Sequence, residues 1–242
     1  MRIFFFVFFL SLVNSQNSSS PWSSITSLIT PNEIQVTEEG MVYAATSGGL
    51  LSFHPITEEF NFIKMEKGLA YLDLSSIALD DKGRLWLGGN VPRGCLQVYD
   101  PKLGLVRFFE DELVSNISKI VIGEDVSFAI YEGSTSGDRG ILKFIIDEEG
   151  LPEYQDYYTS FTTENITKIY DLDIFEDSVY VATDQGVFSG YYMEDLKFPT
   201  DWVQIYNDND AKQFLPGTNP IILKNNIYYY SEKILLSIHL LL

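Results

Sequence analysis

The chain has 242 residues, of which 45% are hydrophobic and 14% aromatic; that supports a sizeable core and argues against a disordered chain. Its formal charge of −18, from 34 acidic and 16 basic residues, repels nucleic acid and anionic lipid, so no nucleic-acid partner is expected. A single cysteine, Cys95, excludes an intrachain disulfide, and with only two histidines, one of them (His239) in an apolar tail, Cys95 reads as a small buried strand residue rather than a nucleophile.

Met1-Arg2 precedes the apolar run Ile3–Leu10, and Val13 and Ser15 suit the −3 and −1 positions of a signal-peptidase site. Residues 1–15 are therefore expected to be a signal peptide, with cleavage before Gln16, because the run is much shorter than the roughly 20 apolar residues that span a bilayer. The remainder, 16–242, is expected to be exported and to begin outside the inner membrane, with no transmembrane segment after cleavage. The acidic residues are spread along the chain rather than gathered in a tail, which reads as a solvated acidic surface; a cationic partner or Ca²⁺ is the alternative.

From there the sequence repeats. Ser76–Leu79 is a short apolar strand, Asp80-Asp81-Lys82-Gly83 a turn, and Leu85-Trp86-Leu87 an aromatic-bearing strand. Gly94–Tyr99 is a third strand closed by Asp100-Pro101, and Val106–Phe109 a fourth. The same order recurs, giving four-stranded units at about 32–63, 74–110, 117–158 and 166–206, with a partial one at 220–242. Second-strand aromatics stand at Tyr43, Trp86, Phe128, Tyr180 and Tyr228, and glycines open the third strands at Gly49, Gly94, Gly140 and Gly186. The aromatic steps of 43, 42, 52 and 48 residues match blades of a β-propeller, about 40–50 residues each. The fold class expected is all-β: about four complete blades plus a partial fifth, each blade's faces covered by its neighbours and its aromatic packed between them. Trp22-Ser23-Ser24-Ile25 has the spacing of the fourth strand Trp202-Val203-Gln204-Ile205, so an N-terminal strand completing the fifth blade would remove two exposed edges. The competing reading is a fragment of a larger propeller, which the apolar end Leu240-Leu241-Leu242 favours.

The segment Ser76–Pro101, with Ile-Ala-Leu-Asp-Asp-Lys-Gly-Arg-Leu-Trp-Leu-Gly-Gly at its centre and the lead-in Lys67-Gly68-Leu69, resembles the two-component-regulator propeller repeat. The early Trp22 segment followed by Val42–Leu50 is similar to the N-terminal propeller of PorZ-like proteins of the type IX secretion system, and the two resemblances together cover roughly Trp22 to Tyr206. It implies a periplasmic or cell-surface propeller used for ligand sensing or for docking proteins, and, in PorZ-like proteins, a part in the surface machinery that handles secreted cargo.

No catalytic, cofactor or metal constellation emerges from the sequence. Asp80 and Trp86 stand one residue further apart than in the sialidase Asp-box, so Asp80 and Asp81 are expected to cap a hairpin. Asp208-Asn209-Asp210 begins like a calcium loop, but Lys212, Gln213 and Asn219 fall where an oxygen ligand, a turn glycine and the terminal glutamate belong, so a solvated loop is expected. Glu148-Glu149 and Asp171/Asp173 are paired carboxylates, read as exposed surface rather than acid–base pairs. Asn116-Ile117-Ser118 and Asn165-Ile166-Thr167 match glycosylation sequons, which matter only in a eukaryotic secretory context. The run Ile234–Leu242 is too short to span a bilayer and reads as the last strand of the unfinished blade. The function expected is a non-enzymatic binding or scaffold module contacting a protein or glycan through its axial loops. The alternatives are a ligand-sensing domain and a polysaccharide hydrolase or lyase.

Overall fold

The structure is a computed structural model that describes residues 30–207, with side chains to residue 205, and the backbone of three strands beyond. The expected signal segment, the Trp22 segment and the calcium-like stretch at Asp208 lie outside the described residues.

Four antiparallel sheets of four strands follow one another. The first holds β1 (Pro31–Val36), β2 (Val42–Thr46), β3 (Gly49–His54) and β4 (Glu59–Ile63). The second holds β5 (Asp73–Leu79), β6 (Leu85–Val91), β7 (Cys95–Asp100) and β8 (Gly104–Glu110), and the third β9 (Val114–Ile122), β10 (Val126–Gly133), β11 (Arg139–Ile146) and β12 (Pro152–Tyr158). The fourth holds β13 (Ile169–Phe175), β14 (Ser178–Thr183), β15 (Gly186–Tyr191) and β16 (Trp202–Asn207). A three-stranded sheet of β17 (Asn219–Leu223), β18 (Asn226–Ser231) and β19 (Ile234–His239) completes the series. Among the described residues helix is limited to two 3₁₀ turns, Met65–Lys67 and Pro199–Asp201.

Local chemistry repeats with the sheets. Thr46 Oγ1 accepts from the Gly48 amide at 3.1 Å and donates to the Gly49 carbonyl at 2.7 Å, closing the β2–β3 hairpin. Thr183 does the same with Gln185 and Gly186 at 3.1 and 2.9 Å. Both glycines take the left-handed backbone these tight turns require, with φ of 126° and 119°. Gly94 and Gly140 answer a different need. A Cβ on Gly94 would lie 2.8 Å from the Asn116 amide of the next sheet, and one on Gly140 would overlap the Tyr158 carbonyl.

Alternation sends the two sides of each sheet to different neighbours. Tyr43 packs with Leu74, Ile77, Leu85 and Leu87 of the second sheet. Trp86 packs with Ile117, Ile120, Ala129 and Phe144 of the third, and Phe128 with Leu172, Val179, Val181 and Phe188 of the fourth. Tyr180 is buried and alternates with Val179 and Val181, so it faces away from the third sheet, on the side where β17 meets β13 and β14. Tyr228 holds the same register, paired with Ile221 and Ser237 as Tyr180 is with Asp173 and Ser189.

The first sheet has an apolar face that no described residue covers. Ile34 pairs with Ala44 as Ile77 pairs with Leu87, yet Ile34 is 55% exposed and Ile77 1%. Val36, Phe60 and Phe62 share this exposure. The pattern is that of a sheet whose outer face is shaped to receive another.

The first strands of successive sheets lie side by side and run in the same direction. Asn32 Nδ2 donates to the Leu74 carbonyl at 2.6 Å and Gln35 Nε2 to the Ile77 carbonyl at 3.3 Å, both across 42 residues. Ser75 Oγ repeats the step to the Ile117 carbonyl at 2.6 Å, again across 42 residues. All turns joining a first to a second strand therefore project at one end of the assembly, with the turns joining third to fourth strands. The opposite end carries the second-to-third turns and the links between sheets.

Candidate functional site: a charged axis beneath an acidic rim

The inner strands enclose an ionic cluster. Lys119 on β9 reaches Glu33 on β1 at 3.3 Å and Asp171 on β13 at 3.8 Å. Glu33 is committed on both oxygens, since its other one accepts from the Ile77 amide at 2.8 Å. Burial alone would lower the Lys119 pKa; the Asp171 and Glu33 carboxylates, with Asp173 beyond, outweigh it and hold the ammonium above its ordinary value. One lysine thus ties the first, third and fourth sheets together through charge, and Glu33 adds the second. The expectation of Asp171 and Asp173 as an exposed face is corrected here: both are only partly exposed, because β13 is an inner strand whose alternate side chains look onto the axis.

A second polar construction fastens the sheets further out. Asp80 accepts from the Lys82 and Arg84 amides at 3.0 and 2.8 Å, from Arg84 Nε at 2.6 Å and from Trp86 Nε1 at 3.1 Å. Arg84 then donates to the Glu149 carbonyl at 3.0 Å and to the Gly150 carbonyl, both on the third sheet. Asp80 caps the hairpin as its sequence position suggested; Asp81 does not, and stands exposed. Lys143 makes the corresponding reach from third to fourth sheet, donating to the Tyr192 carbonyl at 2.6 Å.

Above the axis lies the acidic rim. Every described first-to-second turn carries two carboxylates: Glu38 and Glu39, Asp80 and Asp81, Glu124 and Asp125, Glu176 and Asp177. Parallel inner strands bring these turns to one end. The turns of the first and second sheets flank a cleft of about 530 Å³ containing Glu38, Glu39, Asp81 and Lys102. Those of the second and third flank one of about 500 Å³ with Asp81, Lys82, Glu124 and Glu148. Tyr192 feels Asp177, Asp125 and Glu124 together, which brings the fourth sheet's turn into the same field; burial is the main cause of its raised pKa, and these charges add to it. Hydrogen bonds from its own amide and the Thr37 hydroxyl hold the Glu39 carboxyl below its ordinary pKa, so it stays charged. The opposite end mixes signs: Ser115, Glu132, Asp138, Arg139 and Lys168 surround a cleft of about 340 Å³ there.

Cys95 is fully buried and its thiol pKa is pushed up to about 12 by burial, so it holds its proton. Glu148 and Glu149 are exposed on the β11–β12 turn, whose cap is Asp147. Asn116 lies in β9 with its carboxamide oxygen buried, whereas Asn165 is exposed in a link between sheets. Among the described residues, no three His, Cys, Asp or Glu side chains stand together to hold a metal, and no helix is long and apolar enough to cross a membrane. Lys119 and Arg84 escaped sequence reasoning; only superposing the repeats would have placed Glu33, Lys119 and Asp171 on one axis.

The sequence matches no protein-family model, and no curated protein matches it. Solved structures do. PorZ of Porphyromonas gingivalis, described as an essential bacterial surface component of the type-IX secretion system, superposes with a TM-score of 0.60 at 14% identity, over 90% of this chain and 33% of that one. The fold is a β-propeller. The extracellular domain of BT3049, named a hybrid two component system of B. thetaiotaomicron, gives a TM-score of 0.57 at 14% identity, over 93% of this propeller chain and 29% of that one. A gluconolactonase from Xanthomonas campestris gives 0.56 at 9% identity, over 83% of this chain and 68% of that one. The chain spans about a third or less of the first two proteins, and at these identities the likeness is one of fold, not of chemistry.

Proposed function

We propose that this propeller is an exported, non-catalytic binding module that docks a cationic partner protein on its acidic rim, at the periplasm or cell surface. The observation supporting the reading is the convergence of seven exposed turn carboxylates on one end, whose clefts hold Lys82 and Lys102 as their cations, while the cleft at the opposite end balances Glu132 and Asp138 against Arg139 and Lys168. Such a field steers a basic partner and fixes its orientation. The charged axis beneath has its lysine and Glu33 engaged in holding sheets together, which suits a rigid platform better than a reacting centre. The PorZ and BT3049 likenesses are compatible with a surface or sensing role for such a platform. A catalytic reading, for which the gluconolactonase of the same fold is a precedent, stands second.

The test uses an oligolysine peptide as probe. At low salt it should bind, and Asp81→Lys with Glu124→Lys should weaken binding about tenfold or more, the effect fading near 0.5 M salt. Equal reversals at the far end, Glu132→Lys with Glu164→Lys, should change it far less. Equal losses from both pairs would contradict the rim assignment, and lactone hydrolysis by the purified protein would favour the catalytic reading.

A further inference from the structure

The fourth sheet departs from the others at the rim. Its third and fourth strands are joined by a ten-residue connection, 192–201, where the second sheet uses three residues. This connection is fastened along its length. The Tyr192 amide donates to the Asp177 carbonyl at 3.1 Å and its hydroxyl to the Glu176 carbonyl at 3.2 Å. Lys197 pairs with Asp156, the Phe198 amide donates to Asp201 Oδ2 at 2.7 Å, and Trp202 Nε1 donates to the Leu196 carbonyl at 3.1 Å while Leu196 is buried. Yet this anchored segment turns Met193 and Phe198 outward, 69% and 66% exposed, with Tyr191 and Val203 46% and 66% exposed at its two ends. Holding large apolar side chains in water on a rigid support is the usual mark of an interaction site.

We infer that the 192–201 connection is the apolar anchor of the docking face, and that its occupant is an amphipathic basic polypeptide segment whose apolar side chains cover Met193 and Phe198. This inference rests on the rim reading and specifies the partner it fits. Charge complementarity selects the occupant: the connection is hydrogen-bonded to the turn bearing Glu176 and Asp177, and Glu124 and Asp125 act on Tyr192. The same carboxylates disfavour an anionic bilayer. An unchanging anchor also limits the ordering lost on binding, since the connection is already fixed by its own hydrogen bonds.

Two peptides of equal charge serve as probes, oligolysine and a mixed Lys/Leu peptide. The parent protein should bind the Lys/Leu peptide about fivefold or more tightly than oligolysine, since covering two large apolar side chains removes substantial surface from water. Met193→Ser with Phe198→Ser should abolish that preference and leave oligolysine binding unchanged; both side chains are exposed, so folding should be retained, as circular dichroism would verify. Lack of preference in the parent, or its persistence in the variant, overturns the inference while leaving the rim reading intact. Failure of oligolysine to bind overturns the rim reading itself. Binding of the parent, but not of the variant, to zwitterionic vesicles would assign the anchor to a membrane and overturn the peptide occupant.

Discussion

Replacing Trp86 with alanine should lower the free energy of unfolding by about 3–5 kcal/mol, the range for removing a buried aromatic and leaving a cavity. Trp86 is fully buried between the second and third sheets, and it packs with Ile117, Ile120 and Phe144. Its indole also donates to Asp80, so the loss has two parts. Trp86→Phe separates them: it keeps most of the packing and forfeits the hydrogen bond, for about 1 kcal/mol plus the smaller ring's share. Denaturant unfolding of both variants checks the order. A Trp86→Ala loss under 1 kcal/mol would mean that the two sheets do not cover each other there.

Asp80→Ala should be comparably severe, about 3–5 kcal/mol, for an electrostatic reason. The Asp80 and Arg84 side chains are 3% and 9% exposed, so removing the carboxylate strands a guanidinium away from water. Two turn amides and the Trp86 indole lose their acceptor at once. Asp80→Asn should recover part of the loss, since an amide oxygen still serves the turn. Asp81→Ala, next in sequence but exposed, should stay within about 0.5 kcal/mol of the parent. Equal effects at Asp80 and Asp81 would contradict the assignment of the cap.

The contrast between these neighbours shows what the sequence disclosed. Strand order was legible because each repeat spells its own hairpins, and a turn such as Asp80–Gly83 is settled within a few residues. Trp86 was legible as interior because a large aromatic alternating with leucines has few other uses in a sheet. Lys119 was not. Its partners lie 86 and 52 residues away on other sheets, and nothing near it announces them. Asp171 and Asp173 looked like solvated surface for the same reason: on a strand, period-2 polarity marks a wet face, and a water-filled or ion-paired axis leaves the same mark as bulk solvent. The rim was hidden differently. Four acidic pairs spaced along a chain resemble diffuse charge until parallel inner strands gather their turns at one end. Met193 and Phe198 could not be told from core residues without knowing that Leu196, between them, takes the buried place.

The measurement that tests the shared axis most directly is a double-mutant cycle between Glu33→Gln and Lys119→Met, read by unfolding free energy. The residues belong to the first and third sheets and meet only if both sheets face one axis. A favourable coupling of about 0.5–1 kcal/mol is expected at neutral pH. Because the folded-state Lys119 pKa is raised, the coupling should be fully present from neutral pH up to the ordinary lysine pKa of about 10.4 and disappear as pH rises through the higher folded-state value. Additive losses with no coupling at any pH would contradict the shared axis.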